Sequence, residues 1–146
     1  MKTRNHGAGR SAWVFGVVLP LIVSACAHTP RPGEEVAECG PLYQLRARQL
    51  SPPDRPMGVA TFQIVTADRY ENTPDIHIRL SSPTGRFYIN GAPREFGFTD
   101  PRGNLVVEWH APETASGGGG EPTALSFQAL DLPGDCSLEL TVDPQR

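Results

Sequence analysis

From Val59 onward, apolar and polar residues alternate along the chain. Ala60, Phe62 and Ile64 form one apolar row, and Ile76, Ile78 and Leu80 form the next. Phe87 and Ile89, Phe96 and Phe98, and then Leu105, Val107 and Trp109 continue the series. Leu125, Phe127 and Ala129 follow, and Leu138, Leu140 and Val142 close it. A period of two places each row on one face of a strand and the polar residues on the other. Phe96, Phe98 and Trp109 are therefore expected in the core, and no long window carries a helical period. Pro41 to Leu50 fits either a short helix or an extra strand.

The intervening segments have turn chemistry. Ser82-Pro83-Thr84-Gly85 and Asp100-Pro101-Arg102-Gly103 place proline second and glycine fourth, as a type I turn favours, and Asn90-Gly91 supplies positive φ for a third reversal. The spacing predicts strands near 76–80, 86–90, 94–99 and 104–109, arranged as a meander. Residues 115–122, rich in glycine, predict a longer crossing. About seven short strands make the expected fold all-β: one antiparallel two-sheet sandwich.

The first residues follow a different pattern. Lys2, Arg4 and Arg10 occur without an acid, an uncharged run spans Ala12 to Ala25, and small residues precede Cys26. A basic start, an apolar stretch and small residues before a cut define a secretory signal peptide over 1–25. The run is shorter than the roughly 20 residues a membrane span needs, and Pro20 interrupts it. Val23-Ser24-Ala25-Cys26 resembles the lipobox of bacterial lipoproteins. That resemblance implies diacylglycerol on the Cys26 sulfur, cleavage before Cys26 and acylation of the new amino group. The attached chains would hold the protein on the membrane. Ala27, where an aspartate would favour the inner membrane, implies the outer membrane, with the domain facing the periplasm.

Cleavage changes the charge. The whole chain carries 13 basic and 16 acidic residues. Every acid lies after Cys26, whereas Lys2, Arg4 and Arg10 leave with the signal, so the mature chain has a net charge of −6. An acidic surface argues against nucleic acid and against electrostatic adhesion to anionic lipid. Lys2 is the only lysine, which excludes a P-loop or Schiff-base lysine in the mature chain. With Cys26 lipidated, Cys39 and Cys136 remain, and two cysteines in an exported domain are expected to form a disulfide. Residues 26–38, rich in proline, glycine and charge, predict a flexible tether, and 39–146 form the domain.

Within the domain, the stretch Phe87 to Trp109 with Asn90-Gly91 and Thr99-Asp100-Pro101-Arg102-Gly103 resembles the repeat of transthyretin-like and carboxypeptidase-regulatory-like modules. It implies an Ig-like sandwich and no particular activity. Candidate chemistry is sparse. There is no G-x-S-x-G, and Asp131, Asp135 and Asp143 do not form a calcium loop. Glu95 and Glu108 read as solvated strand charges. His77 shares a face with Asp75 and Arg79, and His110 follows Trp109. The two imidazoles with Asp75 are weak candidates to ligate zinc; two solvated surface histidines are the favoured reading, because no ligand spacing motif supports a site, and no metal is expected. Arg86, Tyr88 and Arg94 form a possible contact surface, because an aromatic among arginines suits an interface.

The expected function is that of a non-catalytic, lipid-anchored binding or envelope-assembly module that needs no cofactor. Its partners would be the membrane, through Cys26, and an envelope protein. The outer-membrane lipoprotein of type VI secretion systems, which this chain resembles in pairing a lipobox with a sandwich, docks a larger envelope protein in that manner. The alternative is a metal-assisted hydrolase using His77 and His110.

Overall fold

The computed structural model describes residues 30–50, 56, 58–113 and 121–143. The expected signal segment, Cys26 and most of the glycine-rich crossing lie outside these residues.

Among the described residues ten strands follow one another: β1 (Glu34–Cys39), β2 (Tyr43–Leu50), β3 (Val59–Ala67), β4 (His77–Ser81), β5 (Arg86–Ile89), β6 (Ala92–Pro93), β7 (Phe96–Phe98), β8 (Asn104–His110), β9 (Thr123–Ala129) and β10 (Ser137–Val142). They form two antiparallel sheets, one of six strands in the order β1-β2-β3-β8-β5-β6 and one of four in the order β10-β9-β4-β7. The all-β sandwich is as the alternation predicts. The count exceeds seven because β1 and β2 add a hairpin and because residues 92–98 divide between the sheets.

One open alternative is settled and two expectations change. Within Pro41 to Leu50, Tyr43 to Leu50 form strand β2, with Leu45 and Ala47 buried. The tether ends sooner than its composition suggests, because Glu34 to Cys39 pair with β2 along their whole length. An edge strand needs hydrogen bonds on one side only, so a run of glutamates can form one while reading as a linker. The meander does not form either. β4 and β7 lie in the four-stranded sheet, whereas β5, β6 and β8 lie in the other. Turn residues specify a reversal of the chain without specifying which sheet receives it.

The inner rows meet as predicted over most of the chain. Phe62 of β3 and Phe87 of β5 approach Phe127 of β9 from the opposite sheet, with ring centroids 5.7 and 5.8 Å apart. Ile64, Ile78, Leu125, Val107 and Val142 are buried around them. Each such side chain contributes about 1.5–3 kcal/mol through burial. Trp109 is fully buried, and its indole N–H donates to Ser82 Oγ at 3.1 Å and to the Thr84 carbonyl at 3.0 Å. The 82–85 turn fits around this ring. Gly85 adopts φ +74°, and a β-carbon there would fall 2.8 Å from the indole.

The two lateral sides of the sandwich differ. On one side Cys39, at the end of β1, is disulfide-bonded to Cys136, just before β10, with a Cα–Cα distance of 4.9 Å. This bond joins an edge of one sheet to an edge of the other. On the opposite side the chain itself crosses. Arg94 N donates to the Phe87 carbonyl of the six-stranded sheet at 2.9 Å, and the next residue, Glu95, accepts from Leu80 N of the four-stranded sheet at 2.8 Å.

The disulfide closes a sequence separation of 97 residues, for which loop-closure entropy sets a stabilisation of about 2–5 kcal/mol. The double variant Cys39→Ser with Cys136→Ser is expected to unfold at lower denaturant by that amount. Equilibrium urea titration of the two proteins checks this, and superimposable curves would contradict it.

Candidate functional site

The short strand β7 and its surroundings form the candidate site. Its sequence is Phe-Gly-Phe, and the alternation is present with the opposite phase to the one expected. Gly97 takes the inward position, where an added β-carbon would lie 2.7 Å from Ile89 Cδ1 and 2.8 Å from Leu105 Cδ2. Phe96 and Phe98 consequently project from the outer face and are 40% and 62% exposed. The expectation that both belong to the core is therefore corrected. Their apolar row was assumed to face inward, but packing leaves room for only glycine on that side. A glycine inside a strand is the sequence signal that could have revealed the close approach.

The exposed rings have neighbours on the same outer face. β4 pairs with β7 so that His77 lies beside Phe98 and Arg79 beside Phe96. The His77 imidazole stacks on Phe98, with centroids 4.6 Å apart and planes 13° from parallel, and contacts Phe96 at 5.1 Å. The Arg79 guanidinium carbon lies 5.6 Å from the Phe96 ring centre, within cation–π range. His77 N donates to Asp131 Oδ2 at 2.7 Å, and Leu130, also exposed, donates its N–H to the His77 carbonyl at 2.9 Å.

A groove of about 1110 Å³ runs along this open side, and Arg79, Arg86, Arg94, Phe87, Phe96 and Phe98 are among its lining residues. Among the described residues none of the three arginines forms an ion pair. Glu95 lines the groove as well, and three arginines against one acid make a local positive patch on residues 26–146, whose net charge is −6.

Of the predicted contact residues, Arg86 and Arg94 thus reach the same groove. Tyr88 lies on the outer face of the six-stranded sheet, against His110 with ring centroids 4.3 Å apart. Glu108 Oε2 lies 3.2 Å from His110 Nε2. The weak metal candidates His77, His110 and Asp75 do not converge. His77 points outward from the four-stranded sheet and His110 outward from the six-stranded one, on opposite sides of a sandwich whose layers stand about 10 Å apart. Asp75 precedes β4 in a left-handed conformation, φ 57°. Among the described residues no three His, Cys, Asp or Glu side chains are grouped to hold a metal ion. Asp131 and Asp135 accept hydrogen bonds from His77 N and Gln128 Nε2 around the β9–β10 turn.

β7 is held at both ends. At its start lies the sheet crossing at Arg94 and Glu95. At its end Thr99 is buried, donates its N–H to the Ile76 carbonyl at 3.0 Å and accepts at Oγ1 from Ile76 N at 2.9 Å. Thr66 Oγ1, also buried, donates to the Thr73 carbonyl at 2.6 Å in the same cluster. Asp100 then closes the turn into β8, its Oδ1 accepting from Asn104 N at 2.9 Å and Arg102 N at 2.8 Å.

Family models, curated proteins and solved structures were compared with this chain, and none matches it.

The Asn104 N–H holds the Asp100 carboxyl below its ordinary pKa, with Arg102 N–H assisting. A lowered folded-state pKa gives stability that is present above the unfolded value and is lost as pH falls through the folded one. Asp100→Asn is therefore expected to be less stable than wild type at pH 7, with the difference narrowing below about pH 4. Urea midpoints at pH 7 and pH 3 check this, and a difference independent of pH would contradict it.

Proposed function

We propose that the protein is a lipid-anchored, non-catalytic binding or assembly module, held through Cys26 at the outer membrane and facing the periplasm. The observation that carries the binding role is the open side of the sandwich. There exposed Phe96 and Phe98 adjoin Arg79, Arg86 and Arg94, and the strand beneath them is fixed at both ends. Rigid aromatic and arginine side chains are the residue types that dominate binding energy at interfaces, because they bury large areas with little loss of freedom. A soluble domain that exposed two adjacent phenylalanines for no purpose would carry an aggregation liability. The partner is an envelope component with an anionic contact surface, complementary to the three arginines. The anchoring role rests on the lipobox resemblance at Val23-Ser24-Ala25-Cys26 and on the signal pattern before it.

Cys26→Ala tests the anchor. It should abolish acylation, leave the precursor uncut by the lipoprotein peptidase, and remove the lipid-dependent partition into the detergent phase. A Cys26→Ala protein that is still acylated and processed would refute lipidation.

Affinity capture from detergent-solubilised membranes tests the contact surface. Wild type should retain a stoichiometric component, and Arg86→Glu combined with Arg94→Glu should reduce its recovery at least tenfold while leaving the thermal midpoint unchanged. Equal recovery by both proteins, or no stoichiometric component with either, would count against this surface.

A further inference from the structure

We propose that β7 is the pairing edge of a two-fold homodimer, in which two copies join antiparallel through Phe96, Gly97 and Phe98 and so continue the four-stranded sheet from one subunit into the other.

The first observation is an unused backbone edge. Thr99 N donates to the Ile76 carbonyl, Leu80 N donates to the Glu95 carbonyl, and Gly97 lies opposite Ile78. Residues 95, 97 and 99 therefore direct their main-chain groups towards β4. In an antiparallel ladder the alternate residues direct theirs the other way. The N–H and C=O of Phe96 and Phe98 accordingly face outward, where β7 is the last strand of its sheet.

The second is that this edge lacks the protection found at the others. β1 carries Glu34, Glu35 and Glu38, and β10 carries Glu139, on the side closed by the disulfide. β6 is two residues long and contains Pro93. Charges, proline and shortness are the usual means of blocking edge-to-edge pairing. β7 is short, but it bears neither a charge nor a proline, and its two side chains are apolar and exposed.

The third is self-complementarity, which selects a second copy over a foreign strand. With a two-fold axis at Gly97, residues equidistant on either side of it become opposed. Phe96 then meets the partner's Phe98, and Phe98 meets the partner's Phe96. Both pairs fall where the outward main-chain groups can bond, giving four backbone hydrogen bonds. All four rings lie on one face, as cross-strand aromatic pairs. One step further out, Arg94, which forms no ion pair among the described residues, is opposed to the partner's Asp100. Asp100 accepts its two turn amides at Oδ1, and its carboxylate, already held by the Asn104 side chain and the Arg102 charge, is the one acid opposed to the guanidinium in this register. Moving the axis to Phe98 would instead oppose Arg94 to the partner's Arg102, so charge favours the Gly97 register.

The inference rests on reading this side of the sandwich as a contact surface, and crosslinking tests it separately from partner capture. Two differently tagged full-length copies are co-expressed, one carrying Phe96→Cys and the other Phe98→Cys, and cells are treated with a mild oxidant before non-reducing electrophoresis. Both positions are exposed, so either cysteine is tolerated by the fold. The mixed pair should give a covalent dimer at least fivefold more abundant than a pair carrying Val106→Cys, an exposed position on the other sheet. Adding Arg94→Asp to both copies should reduce that dimer several-fold, and Arg94→Lys should not. A mixed pair no more abundant than the Val106→Cys control overturns the proposal. So does a crosslinked product containing a different protein, which would make the edge an acceptor for a foreign strand. Insensitivity to Arg94→Asp overturns the Gly97 register. Capture of an envelope component without a self-crosslink would leave the binding role standing and remove the dimer alone.

Discussion

Burying Trp109 constrains the rest of the domain. Its ring is large enough to span the space between the sheets, yet its indole N–H must find an acceptor once water is excluded. Ser82 and Thr84 supply the acceptors, and they can do so only if the chain between β4 and β5 folds over the ring. Gly85 makes that close approach sterically feasible. The same turn carries the chain out of the four-stranded sheet and into the other, so β5 pairs with β8. β4 is left to pair with β7, the strand that follows the return crossing. The open side of the molecule follows from where one indole had to be satisfied.

The two flanks then serve different ends. One is closed covalently between Cys39 and Cys136 and edged with glutamates. On the other the chain crosses between the sheets, as at Arg94 and Glu95, and this flank presents phenylalanine and arginine. A sandwich that is locked on one flank can leave the other exposed without losing the packing of its layers.

Much of this architecture is legible in the sequence, and the exceptions share a cause. Rows such as Phe62 with Ile64, or Leu125 with Phe127, are buried as the alternation requires, because both the period and its phase are set by large apolar residues. Asn90 and Gly91 both adopt positive φ, as their turn demands. At β7 the period is also correct, but the phase depends on how little space Ile89 and Leu105 leave around Gly97, a tertiary fact whose one local signature is the glycine itself. β1 escaped notice because edge strands are stabilised through their backbone, which composition does not report. His77 and His110 looked compatible on one strand-by-strand reading and are separated by the sheet each strand joins. Arg86 and Arg94 were recognisable as contact residues, whereas Arg79 and the two phenylalanines required the pairing of β4 with β7.

The early start of β1 sets a further limit on how the domain can be used. Its first residue is Glu34, so only Ala27 to Gly33 separate it from the proposed attachment at Cys26. Fully extended at about 3.4 Å per residue, that leash reaches roughly 25 Å. With the proposed anchor at Cys26, a leash this short would confine the domain to a thin layer above the bilayer, where its collisions with other anchored molecules would be effectively two-dimensional. Recognition there would be governed by surface density more than by bulk concentration, and even a short edge strand would meet its counterpart often.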